Sequence, residues 1–223
     1  MDRESAKKEI LGLVEKYNRV VEEGRVAKYT EEETRKDFIE PLFAALGWNT
    51  RDSSEVSAEE KISKGYVDYG FRINGIPKFF LEAKALRKNL DEPEFVKQAV
   101  NYSWLKGCTW AVLTNFETVR IFNAEWKTAN HFQSHFRTIH CAEFLSKFDD
   151  LWLLSRESFE QGLIDKEAER LAKRTMRTSV DRQLLADFTH FRELLSKNIT
   201  KLNQDKKLTQ EELDESIQRY WTD

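Results

Sequence analysis

Apolar residues recur at helical spacing from the start of the chain. Ile10, Leu13, Val14, Tyr17, Val20 and Val21 fall on one face, which predicts a helix over residues 4–23 closed by Gly24. A second stripe, Phe38, Leu42, Phe43 and Leu46, lies within "YTEEETRKDFIEPLFAALGW". Thr30 is a natural N-cap there, and Glu33 three residues on completes a capping box. Pro41 predicts a kink or a tightened turn midway, and Gly47 the stop. The period then shortens to two. A weak strand pattern covers residues 52–57, and "YVDYGFRINGIPKFFLEAK" reads as paired strands around Asn74–Gly75. Residues 92–106 predict a helix carrying Phe95, Ala99, Tyr102 and Leu105 inward, and "TWAVLTNFETVRIFNA" predicts two strands joined at 115–117.

Residues 126–141 fit neither period, whereas "AEFLSKFDDLWLLS" is helical in pattern, with Phe144, Leu145, Phe148, Trp152 and Leu153 as its packing residues. No strand pattern follows. Helices near 158–176, 179–198 and 209–221 are the simplest reading, with Ser179 and Thr209 as caps and Thr209–Glu212 as another capping box. The order predicts an α/β domain over residues 1–155 and an all-helical segment over 156–223.

Composition narrows the class. With 40% hydrophobic and 34% charged residues but only 8 Gly and 3 Pro, the chain is globular rather than disordered. Thirty-six basic against 39 acidic residues leave a net charge of −3, so any attraction to nucleic acid or membrane must be local. Cys108 and Cys141 lack metal-type spacing and read as reduced thiols. The charged, amphipathic N-terminus is unlike a signal peptide, and no apolar run approaches a membrane span, which predicts a soluble, cytoplasmic protein with no membrane partner.

The hairpin carries the candidate chemistry. Asp68, Glu82 and Lys84 lie inside strands, where charge costs stability unless it is solvated, paired or bound. Glu82 and Lys84, two apart, share a face. A strict two-residue turn opposes 68 with 81 and puts Asp68 on the other side, whereas one bulge opposes it to 82. Two convergent carboxylates suit a hard divalent cation, and a neighbouring lysine can stabilise charge on a phosphorane-like transition state. The same three residues also fit an exposed edge strand guarded by charge against aggregation.

"QAVNY" follows on the next helix, with Gln98 and Tyr102 four apart on one face. With it, the chain resembles the PD-(D/E)xK nuclease superfamily in its Q-x-x-x-Y branch. It is most similar to the N-terminal restriction domain of type I motor subunits and of single-chain type IIG restriction–modification enzymes. The resemblance runs from about residue 29 to 155 and includes "TRKDFIEPLFAALGW", "VDY", "FLEAK", "QAVNY" and "LTNFETVRIF". It implies a restriction-endonuclease-like mixed β-sheet flanked by helices, followed by an all-α C-terminal segment, and a site-specific, type IIG-like deoxyribonuclease activity dependent on Mg²⁺, with Mn²⁺ as a substitute. Asp68, Glu82 and Lys84, with Gln98 and Tyr102 bordering them, take the catalytic positions. Asp68, Glu82, Ala83 and Glu33 take the metal positions. Val67 stands where the motif has its nominal Pro.

The implied partner is double-stranded DNA, with a transient dimer for cutting both strands. "DRQLLADFTHFRELLSKNI" and "LTQEELDESIQRYW" resemble the helical connector that leads to a methyltransferase in type IIG enzymes, yet the methyltransferase and target-recognition domains have no counterpart in this sequence. The alternatives are a nuclease-fold DNA-binding or scaffolding module without activity, and a helical interaction protein with solvated strand charges. Glu33 is already explained by its capping box, and Glu40 and Asp37 are weaker acids on the same helix. His131 and His135 have helical metal-pair spacing without a third ligand and read as a structural pair. Arg170, Lys173, Arg174 and Arg177 form a helical stripe that is either a solvated face or a phosphate track.

Overall fold

The first stripe folds as α1, Arg3–Glu22, with the Asp2 carboxylate accepting from the backbone of Glu4 and Ser5. In the computed structural model, residues 2–62, 65–125 and 134–171 are described, together with positions 191, 194 and 198. His131, the tail helices with their caps at Ser179 and Thr209, and Lys173, Arg174 and Arg177 lie outside them. The chain divides into two compact units, Met1–Thr175 and Met176–Asp223. Among the described residues no helix is long and apolar enough to cross a membrane.

The capping box forms as expected. Glu33 N–H donates to Thr30 Oγ1, and the Glu33 carboxylate accepts from Thr30 N–H at the start of α2, Glu31–Thr34. The turn ahead of Pro41 is widened, not tightened. Residues Arg35–Ile39 form a π-turn in which Glu40 N–H reaches back to the Arg35 carbonyl, and α3, Glu40–Ala45, follows. Pro41 has no N–H to offer the Asp37 carbonyl, and that carbonyl accepts from Lys16 Nζ instead at 3.1 Å.

Six strands make one mixed sheet in sequence order: β1 (Val56–Ile62), β2 (Gly65–Ile73), β3 (Ile76–Ala83), β4 (Trp110–Thr114), β5 (Thr118–Asn123) and β6 (His135–His140). All neighbours are antiparallel except β3 and β4, which are parallel. A parallel pair needs a crossover, and α4, Pro93–Leu105, supplies it. Val96, Ala99 and Val100 of α4 pack on Ala111, Leu113 and Phe122. The larger core gathers α1 and α3 with α5 (Phe148–Trp152), α6 (Arg156–Gln161) and α7 (Leu163–Arg170) around Phe38, Phe43, Trp48, Phe71 and Phe79. Helices on both faces of a mixed sheet make this an α/β fold, consistent with the expected restriction-endonuclease-like type.

Several elements differ from the sequence reading. β1 begins at Val56, later than the weak pattern at 52–57. The ambiguous segment contains β6, whose buried residues Phe136 and Ile139 stand three apart. A register shift between Ile121 and Phe122 leaves Phe136 without a partner, so the strand loses its period-two signal. Leu105 and Leu145 are exposed rather than packed. The predicted 142–155 helix is a 3₁₀ turn, Cys141–Glu143, followed by the short α5. Gly162, at φ +64°, splits the predicted 158–176 helix into α6 and α7, and Phe159, Ile164 and Ala168 join the first unit's core.

The hairpin register follows from core packing. Asn74 and Gly75 both take positive φ and make a two-residue turn that pairs Ile73 with Ile76 and Arg72 with Pro77. The register then shifts, Lys78 is left out, and Phe71 pairs with Phe79. Their rings stack at 4.2 Å and 13°, and Phe79 stacks on Phe159 at 5.1 Å. An unbroken ladder pairs Phe71 with Lys78 and turns Phe79 to the other face. The bulge keeps Tyr69, Phe71, Phe79, Leu81 and Ala83 in one core.

Phe79→Ala removes a fully buried ring from two stacks and should cost about 3–5 kcal/mol in urea unfolding. Ile76→Ala, at the exposed hairpin tip, should change stability by less than about 0.5 kcal/mol.

Candidate active site

Past the Tyr69–Leu81 pair, the hairpin ladder gives way to a side chain: Ala83 N–H donates to Asp68 Oδ2 at 2.7 Å. The other Asp68 oxygen faces Arg35, with Nη1 3.6 Å from Oδ1. Glu82 of β3 is 3% exposed and Lys84, just past its end, 8%, and Lys84 Nζ donates to Glu82 Oε1 at 2.5 Å. Gln98 Nε2 of α4 donates to the same oxygen at 2.6 Å. Phe95, one turn earlier on α4, places its ring centre 5.1 Å from Lys84 Nζ. Glu82 Oε2 is buried and has no hydrogen-bond partner among the described residues.

Electrostatics single out Glu82. Burial, then the Asp68 charge, push its carboxyl up to about 7, while the Lys84 ammonium opposes both and Glu31 adds to the rise. Glu31 itself is held above its ordinary value by burial, with Lys84 opposing and Asp68 reinforcing. A buried carboxylate oxygen with no hydrogen-bond partner among the described residues is chemically suited to bind a donor or a cation. Asp68 and Glu82 supply oxygen donors of the kind a hard divalent cation takes, and Ala83, its methyl buried in the core, can add only its carbonyl. No three His, Cys, Asp or Glu side chains converge as a metal cluster among the described residues. Water or phosphate oxygens must therefore complete such a shell.

The remaining sequence candidates separate. Tyr102 is half-buried and packs against Val67, Phe80 and Cys108. The Glu33 carboxylate is engaged in its cap. Asp37 accepts from Tyr29 Oη and pairs with Lys16, and Glu40 accepts from Tyr69 Oη. His135 Nε2 lies 2.8 Å from Thr138 Oγ1. Cys108 and Cys141 are free and buried.

The sequence reading missed two residues. Glu31 is the acid of α2 whose charge acts on Glu82. Arg35 stacks over Tyr69, donates from Nε to its hydroxyl at 2.9 Å and faces Asp68. Glu31, Thr34, Arg35 and Phe38 share one helical stripe with buried Thr34 and Phe38. A charged pair in line with a core stripe was the available signal.

The α/β fold and the bulged hairpin are those expected of a restriction-endonuclease-like N-terminal domain, and part of the chain is similar to one. Residues 53–130 match the family described as type I restriction enzyme R protein N terminus. The chain is similar to the type II restriction enzyme and methyltransferase RM.Eco57I of Escherichia coli, at 29% identity over 234 aligned residues. That match covers 96% of this chain and 23% of the relative's length. Among solved structures, a fragment assigned to the HsdR subunit of a type I restriction enzyme from Vibrio vulnificus YJ016 matches at 16% identity. It covers 54% of this chain and 25% of that one, with a TM-score of 0.35.

Because Glu82 titrates higher in the folded protein than in the unfolded chain, folding takes up a proton between about pH 4.5 and 7. Metal-free stability should therefore fall as pH rises through that window, by on the order of 2–3 kcal/mol. Glu82→Gln should match the wild type near pH 4 and exceed it at pH 8. Thermal melts in EDTA across that range check this, and equal slopes for the two proteins would contradict it.

Proposed function

We propose that this chain is a divalent-metal-dependent DNA endonuclease domain, the cleavage module of a type IIG-like restriction–modification enzyme. The observation that carries the reading is the meeting of Asp68, Glu82 and Lys84, with one Glu82 oxygen left unsatisfied. Asp68, Glu82 and the Ala83 carbonyl would hold the cation, Mg²⁺ in the first instance and Mn²⁺ as a substitute. When bound, it supplies charge neutralisation at the phosphate and an acidified water.

The protein's own groups do the rest. Gln98 and Lys84 both hold Glu82 Oε1, which fixes the carboxylate and leaves Oε2 to bind. Lys84, held against Phe95, stabilises negative charge that builds on the phosphate oxygens. The hydrogen-bonded Glu82–Lys84 pair would accept a proton from an attacking water. Tyr102, one turn after Gln98 on α4, would help set where the scissile strand lies. DNA is the substrate, and cutting both strands calls for a second copy in transient association.

Asp68→Ala, Glu82→Ala and Lys84→Ala should each lower metal-dependent nicking of plasmid at least about 100-fold, while their thermal midpoints stay near that of the wild type or rise. EDTA should abolish the activity. Cleavage within tenfold of wild type in any one variant would sink the assignment.

The acid supplied by α2 is separable by metal titration. Glu31→Gln should weaken Mn²⁺ binding severalfold in calorimetry, and Glu33→Gln should leave it unchanged. The opposite result would restore Glu33 as the ligand from this helix.

A further inference from the structure

A groove of about 620 Å³ opens beside the end of β3, between the C-terminal end of α1 and the loop that follows Lys84. Val21, Val26 and Leu86 give it apolar walls, and Arg87 and Lys88 stand exposed along it. Lys88 relates the groove to the site. Lys84 Nζ and Lys88 Nζ approach the same Phe95 ring, at 5.1 and 5.9 Å from its centre, so the two ammonium groups are separated by no more than the sum of those distances. The charges of Lys88 and Asp68 both act on Glu31.

Two further facts bear on these cations. Among the described residues Arg87 and Lys88, like several other surface cations, form no ion pair, so no carboxylate neutralises them where they line the groove. Lys7, Lys16, Arg25, Arg137, Arg156 and Arg170, by contrast, each pair with a carboxylate. Glu117, the acid among the groove's lining residues, is hydrogen-bonded with Tyr17. Their backbone is also pinned. Leu86 N–H donates to Thr34 Oγ1 at 3.2 Å, Lys88 N–H to the Ala85 carbonyl at 2.9 Å, and buried Asn115 donates to the carbonyls of Leu86 and Lys88 at 3.3 and 2.9 Å. Unpaired cations on a held loop suit a polyanion, because little main-chain ordering remains to oppose binding. The basic stripe read from sequence is a poorer candidate, since Arg170 gives two nitrogens to Glu167 at 2.8 Å.

We propose that this groove is the track for the DNA backbone flanking the scissile phosphate. Arg87 and Lys88 contact phosphates, and the apolar walls take the sugars between them. The proposal rests on the endonuclease reading above and adds the surface that delivers the strand to Lys84.

The test is binding of a short DNA duplex by the full chain, followed by fluorescence anisotropy with Ca²⁺ in place of Mg²⁺. The double variant Arg87→Ala/Lys88→Ala should bind about tenfold more weakly, and the slope of log affinity against log salt should fall by about 2, one for each lost phosphate contact. A control, Lys7→Ala/Lys147→Ala, removes the same charge from lysines already paired with acids and should bind as the wild type does. Mn²⁺ titration without DNA should be alike in all three proteins. If the wild type binds metal and cuts DNA but the groove variant keeps wild-type affinity and slope, the track is wrong and the endonuclease stands. An equal loss in the control also overturns the track, by reducing it to net charge. A wild type that neither binds nor cuts DNA removes both.

Discussion

The stack of Phe71 on Phe79 across the hairpin is the contact on which the site depends. Both rings must reach the same core, and the two-residue Asn74–Gly75 turn on its own would send them to opposite faces. Leaving Lys78 out of the ladder resolves the conflict in favour of burial, which for a phenylalanine is worth about 1.5–3 kcal/mol. The same one-residue shift brings Asp68 to Ala83 and beside Glu82. Core packing sets the register that brings the acids together, and the Ala83 N–H bond to Asp68 then holds them. Their cluster can therefore be costly in itself and still be held.

Much of this was legible in the residues because the relevant signals are local. The capping box, the Asn-Gly turn, the alternation in β2 and β3 and the i, i+4 pair Gln98–Tyr102 each lie within a few positions of sequence. The need for a bulge followed from parity alone, since Asp68 and Glu82 could not otherwise share a face. Its position at Lys78 was not legible, because it depends on which aromatic rings meet in three dimensions. β6 escaped notice for a related reason: its own bulge puts Phe136 and Ile139 at a spacing that imitates a helix turn. Glu31 and Arg35 stood in line with the core stripe of Thr34 and Phe38, but their relation to Asp68 and Glu82 is a tertiary one that spacing alone does not show.

The site is electrostatically unresolved. Many surface cations and carboxylates pair off, as Arg137 does with both Asp150 and Glu167. Around Glu82 one ammonium serves several acids, one carboxylate oxygen has no partner, and a carboxyl group titrates near neutrality. Local rules are commonly broken at functional sites, and the surrounding packing over-determines the result. Here that packing is the Phe43, Trp48, Phe71, Phe79 and Phe159 cluster, with Trp48 Nε1 donating to the Leu154 carbonyl.

The lone parallel ladder in the sheet has a consequence for the order in which the site assembles. Asp68 and Ala83 are 15 residues apart and joined by a two-residue turn, so this contact closes within one hairpin. The pairing of β3 with β4 must wait for the whole α4 crossover, and the bond from Trp48 to Leu154 spans 106 residues. Loop-closure entropy orders these events, short before long. As the chain leaves the ribosome, the two acids can meet before Gln98 and the sheet's second half exist. The carboxylates are then still open to water and inexpensive to charge, and it is the later docking of α4 and β4 that dries them and raises Glu82 toward neutrality. Proton uptake at the site thus belongs to the last stage of folding, when the two halves of the sheet close on each other.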